Sequence, residues 1–532
     1  MSYMLTRRSL LAAAAAGLGA LALSGCEAAK GEQRIALTFA LASPWDTLNP
    51  YTSNAGSFAA LVQDKIFDKI GYINEDFKVE PRAASSWELS DDGMSITFHL
   101  DRDATFHDGV PVTADDWLFT MGYVTSADVT LTSHSFARYL EGTTDAGIET
   151  SAGSAAIEKL DDYTVVCHLK RPYALQSLME SAAKTFHILP AHCFEGMTYP
   201  EVTDAPYWSA PVGSGPCSFS SMVSGTSITL DAYADYHLGP LAFDEFTFQV
   251  MAQSNFVNSI MAGDADLTYT AIPTEDALVL KDEPAISITR QEHPTFLQVL
   301  AWNNEATSAN IRRAVNFGID KQLILDEYYE GEGKLTESVI LPDSPYFKGN
   351  EAPRDVDQAR SYFEAAIAAG EWQEGAPIII GVNTTSRQSQ GAVIQQNLAE
   401  IGLDCQIQMY DSATMWAYLR DGTIHGCLMG LMPTNDPMSL YSYFDSSYAQ
   451  STWFHVNDER FDDIINKLEV ENDEDAKREL CYQFQDVESD IVPFSWICAQ
   501  YSFAATSPRL GNADPFASDQ FNNAVWKWTV AA

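Results

Sequence analysis

His187 and, five residues later, the pair His192-Cys193 are the tightest grouping of metal-ligating side chains in this chain of 532 residues. Imidazole nitrogen and thiolate sulfur suit zinc or nickel. The same spacing over residues 186–194 is more often that of structural histidines, and no Cys-x-x-Cys accompanies it. Gly213-Ser214-Gly215 invites a phosphate, but the rest of a dinucleotide fingerprint and the lysine of a phosphate loop are missing, and Pro216 stiffens the stretch into a turn. Arg312-Arg313 could meet an anion; in a chain with 73 acids against 31 basic residues, ion pairs with those acids account for it. There is no Gly-x-Ser-x-Gly elbow, no His-Glu-x-x-His and no spaced catalytic pair, which leaves a hydrolase without its motif.

The chain starts with Arg7-Arg8, an uncharged apolar run from Leu10 to Leu23, and then Ser24-Gly25-Cys26. This is the layout of a secretory signal. Fourteen apolar residues at ~1.5 Å each fall short of a bilayer core of ~30 Å. A cysteine directly after Ser24-Gly25 looks like the lipoprotein version, cut before Cys26 so that Cys26 carries the lipid. Thr6-Arg7-Arg8-Ser9-Leu10-Leu11 also resembles a twin-arginine export signal. Small polar residues from Glu27 to Gln33 suit a tether. The net charge of −42 becomes −44 when Arg7 and Arg8 leave with the signal, which argues against nucleic acid or anionic lipid as a partner. Eight cysteines less Cys26 leave seven at irregular spacing, so not all of them can pair within the chain.

Elements that could position these residues are legible along the chain. In Gly93–Trp117, Ile96, Phe98 and Leu100 alternate with polar residues as a half-buried strand. Asp108-Gly109 offers a turn, and Thr113 can cap a helix whose first turn holds Asp115 and Asp116. Val165, Cys167 and Leu169 make a second inward-facing strand. Later, Val356, Ala359, Phe363 and Ala366 form a helical stripe; Ile378-Ile379-Ile380 is a buried strand; Val393, Ile394, Leu398 and Ile401 form another stripe; and Leu403, Cys405, Ile407 and Met409 alternate. That strand–helix–strand order predicts an α/β lobe on a mainly parallel sheet. The 507 residues after the signal exceed what one core usually serves, so two or three lobes are expected.

The run Phe106-His107-Asp108-Gly109-Val110-Pro111-Val112-Thr113-Ala114-Asp115-Asp116, preceded by Pro81-Arg82-Ala83-Ala84-Ser85-Ser86-Trp87-Glu88, resembles the signature of family 5 extracellular solute-binding proteins. These are the oligopeptide, dipeptide and nickel receptors of ABC importers. Pro211-Val212-Gly213-Ser214-Gly215-Pro216, Ile260–Leu267, Ala301–Lys321, Phe461–Ile465 and Ile491–Trp496 match further family elements in the same order, over nearly all of 35–528.

The resemblance implies an α/β, periplasmic-binding-protein-like fold of type II, in the large peptide-binding subclass, with two lobes around a ligand cleft and an extra subdomain. Its division would be 1–25 signal peptide; 26–34 lipidated tether; 35–58, 185–290 and 500–532 lobe I; 59–184 the extra subdomain; and 291–499 lobe II. It implies no enzyme and no cofactor. The chain would be a monomeric receptor outside the membrane, held by lipid on Cys26, that captures peptides, oligopeptides first, and delivers them by hinge closure to an ABC permease and ATPase complex. Nickel, a metal chelate or another non-peptide solute is the alternative cargo. Implied ligand contacts are Ser53, Asn54, Ala55, Gly56, Trp302, Asn303, Trp416, Met432 and Asp436. The acid that holds a peptide's α-ammonium in peptide receptors of the family falls at Pro433, and the tripeptide-binding arginine of the preceding strand at Leu428. The first role would then fall to Asp436 or to another acid.

Overall fold

The alternation read at Ile96, Phe98 and Leu100 is a strand, Ser95–Leu100, with those three side chains buried. Gly109 turns the chain at φ +85°, a conformation that costs glycine little. Thr113 then opens the helix Ala114–Thr125, and Asp116 reaches back to it, its Oδ2 accepting from the Thr113 N–H at 2.9 Å. The computed structural model describes residues 34–531 except 54–57, 75–77, 132–135, 145, 151–155, 269–271, 295, 350–352, 433–440, 447–450 and 514–523. Cys26, Asn54, Ala55, Gly56, Pro433 and Asp436 lie outside the described residues.

Three larger sheets, beside two two-stranded ones (Gly71–Ile73 with Val79–Pro81, and Leu510–Gly511 with Thr529–Val530), carry the body that begins at Ala36. A seven-stranded sheet runs, in spatial order, Ser287–Arg290, Phe503–Thr506, Leu267–Thr268, Ala36–Leu41, Glu245–Val250, Ser227–Ala232, Cys217–Val223. A six-stranded sheet runs Gly333–Leu335, Phe494–Gln500, Phe296–Trp302, Gly426–Leu431, Ile378–Val382, Cys405–Met409. A four-stranded antiparallel sheet, Ala84–Leu89, Ser95–Leu100, Thr164–His168, Ile157–Asp161, packs on Trp117, Met121, Leu178 and Phe186 as a core of its own.

The six-stranded sheet is mixed rather than mainly parallel. Parallel pairing is confined to Ile378–Val382 and its neighbours Cys405–Met409 and Gly426–Leu431. Phe296–Trp302, by which the chain enters this sheet, runs against its neighbours on both sides. Its side chains alternate between two cores: Leu297, Val299 and Ala301 join Phe461, Phe484 and Trp496 on one face, while Leu300 and Trp302 join Ile311, Phe363, Ile380 and Leu398 on the other. Helices therefore cover both faces. Among the described residues no helix is long and apolar enough to cross a membrane.

Beneath this sheet Glu488, on the helix Glu474–Ile491, is buried with its carboxyl against the Ser338 hydroxyl, the Val339 N–H and the Trp496 indole N–H. Burial pushes its pKa up to about 8. An acid that is harder to ionise folded than unfolded gives stability that is full below about pH 4.5 and lost as pH rises through about 8. The melting temperature is expected to fall between about pH 4.5 and about pH 8, and Glu488→Gln, which stays neutral, to flatten that fall. Parallel pH profiles of the two proteins with equal slopes would refute the assignment.

Candidate functional site

Strand direction locates the cleft. In the six-stranded sheet Ile378–Val382, Cys405–Met409, Gly426–Leu431 and Phe494–Gln500 all end at one edge, where Phe296–Trp302 begins. In the seven-stranded sheet Ala36–Leu41, Glu245–Val250, Leu267–Thr268 and Ser287–Arg290 end at one edge, where Phe503–Thr506 begins. The chain passes between the two sheets at these edges, over residues 291–294 and 501–502. The Gln291 N–H donates to the Ser502 carbonyl at 2.8 Å, so the two crossings lie side by side. Open α/β sheets bind ligands outside the carboxyl ends of their strands. Here two such edges meet at one pair of crossings.

On the six-stranded side, Arg387 stands in the first turn of the helix Thr385–Ala399, directly after the strand Ile378–Val382. Its Nη1 donates to Asn383 Oδ1 at 2.8 Å. A Cβ added to Gly430, near the end of the next strand, would lie 3.2 Å from its guanidinium and 2.3 Å from the Phe296 ring. Among the described residues it makes no ion pair, and burial lowers its pKa, which Tyr329 and Cys427 offset only in part. A half-buried guanidinium without a carboxylate keeps N–H groups that an anion can take up by charge-assisted hydrogen bonds. Sequence reasoning missed it. The available signal was an arginine three residues after Thr384, the cap of a helix that follows a buried parallel strand.

Trp416 is on the helix Ser412–Arg420 that follows Cys405–Met409, half-buried against Trp453 at 5.6 Å and Phe454 at 6.0 Å. Met432 is exposed at the carboxyl end of Gly426–Leu431. Ser53 lies half-buried in the connection after Ala36–Leu41. Met432 stands at the same edge as Arg387, whereas Trp416 packs on Phe454, whose carbonyl accepts from the Asn304 N–H at 2.8 Å at the opposite end of the sheet. Trp302 and Asn303 do not present themselves as ligand contacts. Trp302 is 0% exposed, and its indole N–H donates to Ser495 Oγ at 3.0 Å. Asn303 donates to the Leu419 carbonyl at 2.7 Å and accepts from the N–H groups of Glu305 and Ala306. They end the strand opposite the cleft edge, which is why both are committed to packing and turn geometry.

The histidine grouping also divides. His187 is buried, with Nε2 2.9 Å from Asp64 Oδ1, whereas His192 Nε2 meets Asp108 Oδ2 at 2.8 Å. His187 is thus a structural residue rather than a ligand partner of the pair.

The signature motifs have structural work. Gly213 donates its N–H to His107 Nδ1 at 3.1 Å, so His107 carries its proton on Nε2, which donates to the Gly215 carbonyl at 3.0 Å. Burial pushes the pKa of His107 down to about 4. Arg82 forms a buried ion pair with Asp68 and donates to the Tyr236 hydroxyl at 3.2 Å and the Asp64 carbonyl at 2.9 Å. His237, from the same segment as Tyr236, faces Asp68 and Asp101 with its two ring nitrogens. Although burial opposes it, those two carboxylates raise the pKa of His237.

The sequence of residues 78–452, well over half of the chain, matches the profile of the bacterial extracellular solute-binding proteins, family 5. The chain belongs to that family. Its members are exported binding proteins, and the fold is their two-lobed, type II α/β arrangement with mixed sheets. Family 5 relatives include heme-binding protein A of Haemophilus influenzae, 24% identical over 466 residues covering 83% of each chain. Another is di/tripeptide-binding protein 1 of Pseudomonas aeruginosa, 24% identical over 79% of this chain and 80% of that one. Among solved structures, the oligopeptide-binding protein AppA of Bacillus subtilis, in complex with a nonapeptide, superposes with a TM-score of 0.74 at 19% identity, over 94% of this chain and 100% of that one.

Proposed function

We propose that this family 5 protein is the peptide receptor of an ABC importer, anchored by lipid on Cys26, which closes its cleft on an extended peptide and presents it to a permease and ATPase complex. The observation that carries the reading is Arg387, a cation with no ion pair among the described residues, at the carboxyl edge of the six-stranded sheet. Arg387 would take a peptide's terminal carboxylate by charge-assisted hydrogen bonds, with Met432 beside the peptide, Trp416, Ser53, Asn54, Ala55 and Gly56 as further expected contacts, and Asp436 for the ammonium end. The division into 35–58, 185–290 and 500–532 as lobe I, 59–184 as subdomain and 291–499 as lobe II is supported by the strand content of the three sheets. A metal or chelate cargo held by His187 with His192 and Cys193 loses its first ligand to Asp64.

Native mass spectrometry of the gently purified chain tests the cargo. A ladder of mixed peptide masses is the expected result; a single non-peptide mass, or a metal, would replace the peptide assignment. Arg387→Ala is expected to weaken binding of such a peptide about 10–100-fold, the worth of one charge-assisted contact, while leaving the melting temperature unchanged. Equal affinity in the variant would remove Arg387 from the site.

A further inference from the structure

We infer that Asp108, His192 and Cys193 form a site for one divalent ion of the zinc type, with three protein ligands and a fourth position open, and that the occupied site ties the turn around Asp108 to the segment 190–194. The inference goes beyond the peptide reading and does not rest on it. The three potential ligand atoms lie within 4.8 Å of one another, the one such grouping of cysteine, histidine and acid among the described residues. A carboxylate oxygen, an imidazole nitrogen and a sulfur are a donor set that suits zinc and not the harder magnesium or calcium.

Both halves of the site are held by neighbours. Asp108 Oδ1 accepts from the Val110 N–H at 3.2 Å, which leaves Oδ2 turned to His192. On the other side the Cys193 N–H donates to the Pro190 carbonyl at 3.0 Å, and the Ala191 N–H to Asp116 Oδ1 at 2.9 Å. The His192 ring rests edge-on against Phe106 at 5.4 Å. Such outer contacts orient ligands before the ion arrives.

The remaining adjustment is small. Ligand atoms ~2.0–2.3 Å from a tetrahedral ion stand ~3.3–3.7 Å apart. Asp108 and His192 must part slightly from 2.8 Å, and Cys193 must close from within 4.8 Å. The Asp108 and His192 side chains are about one-third exposed, at 37% and 29%, and can make that move. Cys193 is also the reachable thiol: the six other described cysteines are buried. On binding, the ion takes the place of the hydrogen bond between Asp108 and His192; His192 ligates as neutral imidazole and Cys193 releases its thiol proton to solvent. Without an ion the trio is no Cys-His-Asp nucleophile, because burial, with Asp108 and Asp116 nearby, pushes the thiol up to about 11.

The test uses the full chain, kept reduced, stripped with a chelator, and titrated with Zn²⁺ against a chromophoric competitor. One tightly bound equivalent is expected, with affinity at least tenfold weaker in Cys193→Ser and in His192→Ala. Co²⁺ is expected to give a thiolate-to-metal charge-transfer band that Cys193→Ser abolishes, and Zn²⁺ to raise the melting temperature of the parent but not of Cys193→Ser. Cys193→Ser changes one atom, so it keeps the test decisive even where His192→Ala fails to fold. Absence of a saturable equivalent in the parent, or zinc binding by Cys193→Ser as tight as the parent's, would reduce the trio to an Asp–His pair beside a thiol. Peptide capture is measured separately, so either result leaves that reading where it stands.

Discussion

Arg82→Met is expected to cost the folded protein about 3–5 kcal/mol, because it leaves the Asp68 carboxylate buried without its guanidinium. Asp68 is 0% exposed, and its remaining partners are the Tyr236 hydroxyl at 3.1 Å and His237 at 2.8 Å. Burial opposes its ionisation, and Arg82 is the main group that holds its pKa below the usual carboxylate range. Chemical denaturation of the single variant measures the loss, and adding Asp68→Asn is expected to return part of it, since the second change removes the orphaned charge. A single variant within 1 kcal/mol of the parent would show that Arg82 is dispensable. The same side chain joins two regions far apart in sequence, Asp64 to Arg82 on one side and Tyr236 to His237 on the other, with Trp526 stacked over the guanidinium at 5.3 Å. Damage at Arg82 should therefore be felt as loss of the whole body rather than of one lobe.

Gly213→Ala is the second change with a large expected effect. A Cβ on Gly213 would lie 1.8 Å from the carbonyl oxygen of Ile66, and one on Gly215 2.6 Å from that of Lys65. Both obstacles are backbone at the end of the helix Ala59–Ile66, so no rotamer change relieves them. The expected loss is about 3 kcal/mol or more, at the upper end of what overpacking costs. Ser214→Ala, between the two glycines, should cost far less. Equal melting temperatures for Gly213→Ala and the parent would mean that the close approach is not required. The stretch that first suggested a phosphate loop is thus glycine-rich because a helix end lies against it.

How much of this was legible beforehand varies with the physical signal. The strand Ser95–Leu100 and the Thr113 cap follow from local periodicity and one side chain, and the structure agrees with both. Ile378–Ile380 reads as a buried strand because all three residues are apolar, and it is flanked by parallel partners. The opposed direction of Phe296–Trp302 was not legible, since direction is set by where the chain crosses between sheets and not by any residue in the strand. Met409, expected inward, is 44% exposed because Cys405–Met409 is the edge strand of its sheet. The motifs around His107 and Gly213 could each be read, but not that they bind one another across 106 residues. Trp302 shows the reverse problem: a tryptophan beside asparagines reads as a contact, and only its burial and its bond to Ser495 assign it to the core. Arg387 went unread because a lone arginine on a helix has no periodic or motif signal; the missing ion pair is visible only in three dimensions.

The paired crossings at 291–294 and 501–502 lie side by side. Two strips of backbone laid side by side, joined between Gln291 and Ser502, resist shear and torsion but bend easily about the line that runs through both. Rotation of one half against the other about that line also has to part a second junction, where the Ala174 N–H donates to the Glu469 carbonyl at 2.8 Å and the Leu175 N–H to Asn472 Oδ1 at 3.0 Å. A transporter reading that rotation would need no contact with the cargo, and cargoes of different sequence would all deliver the same mechanical message.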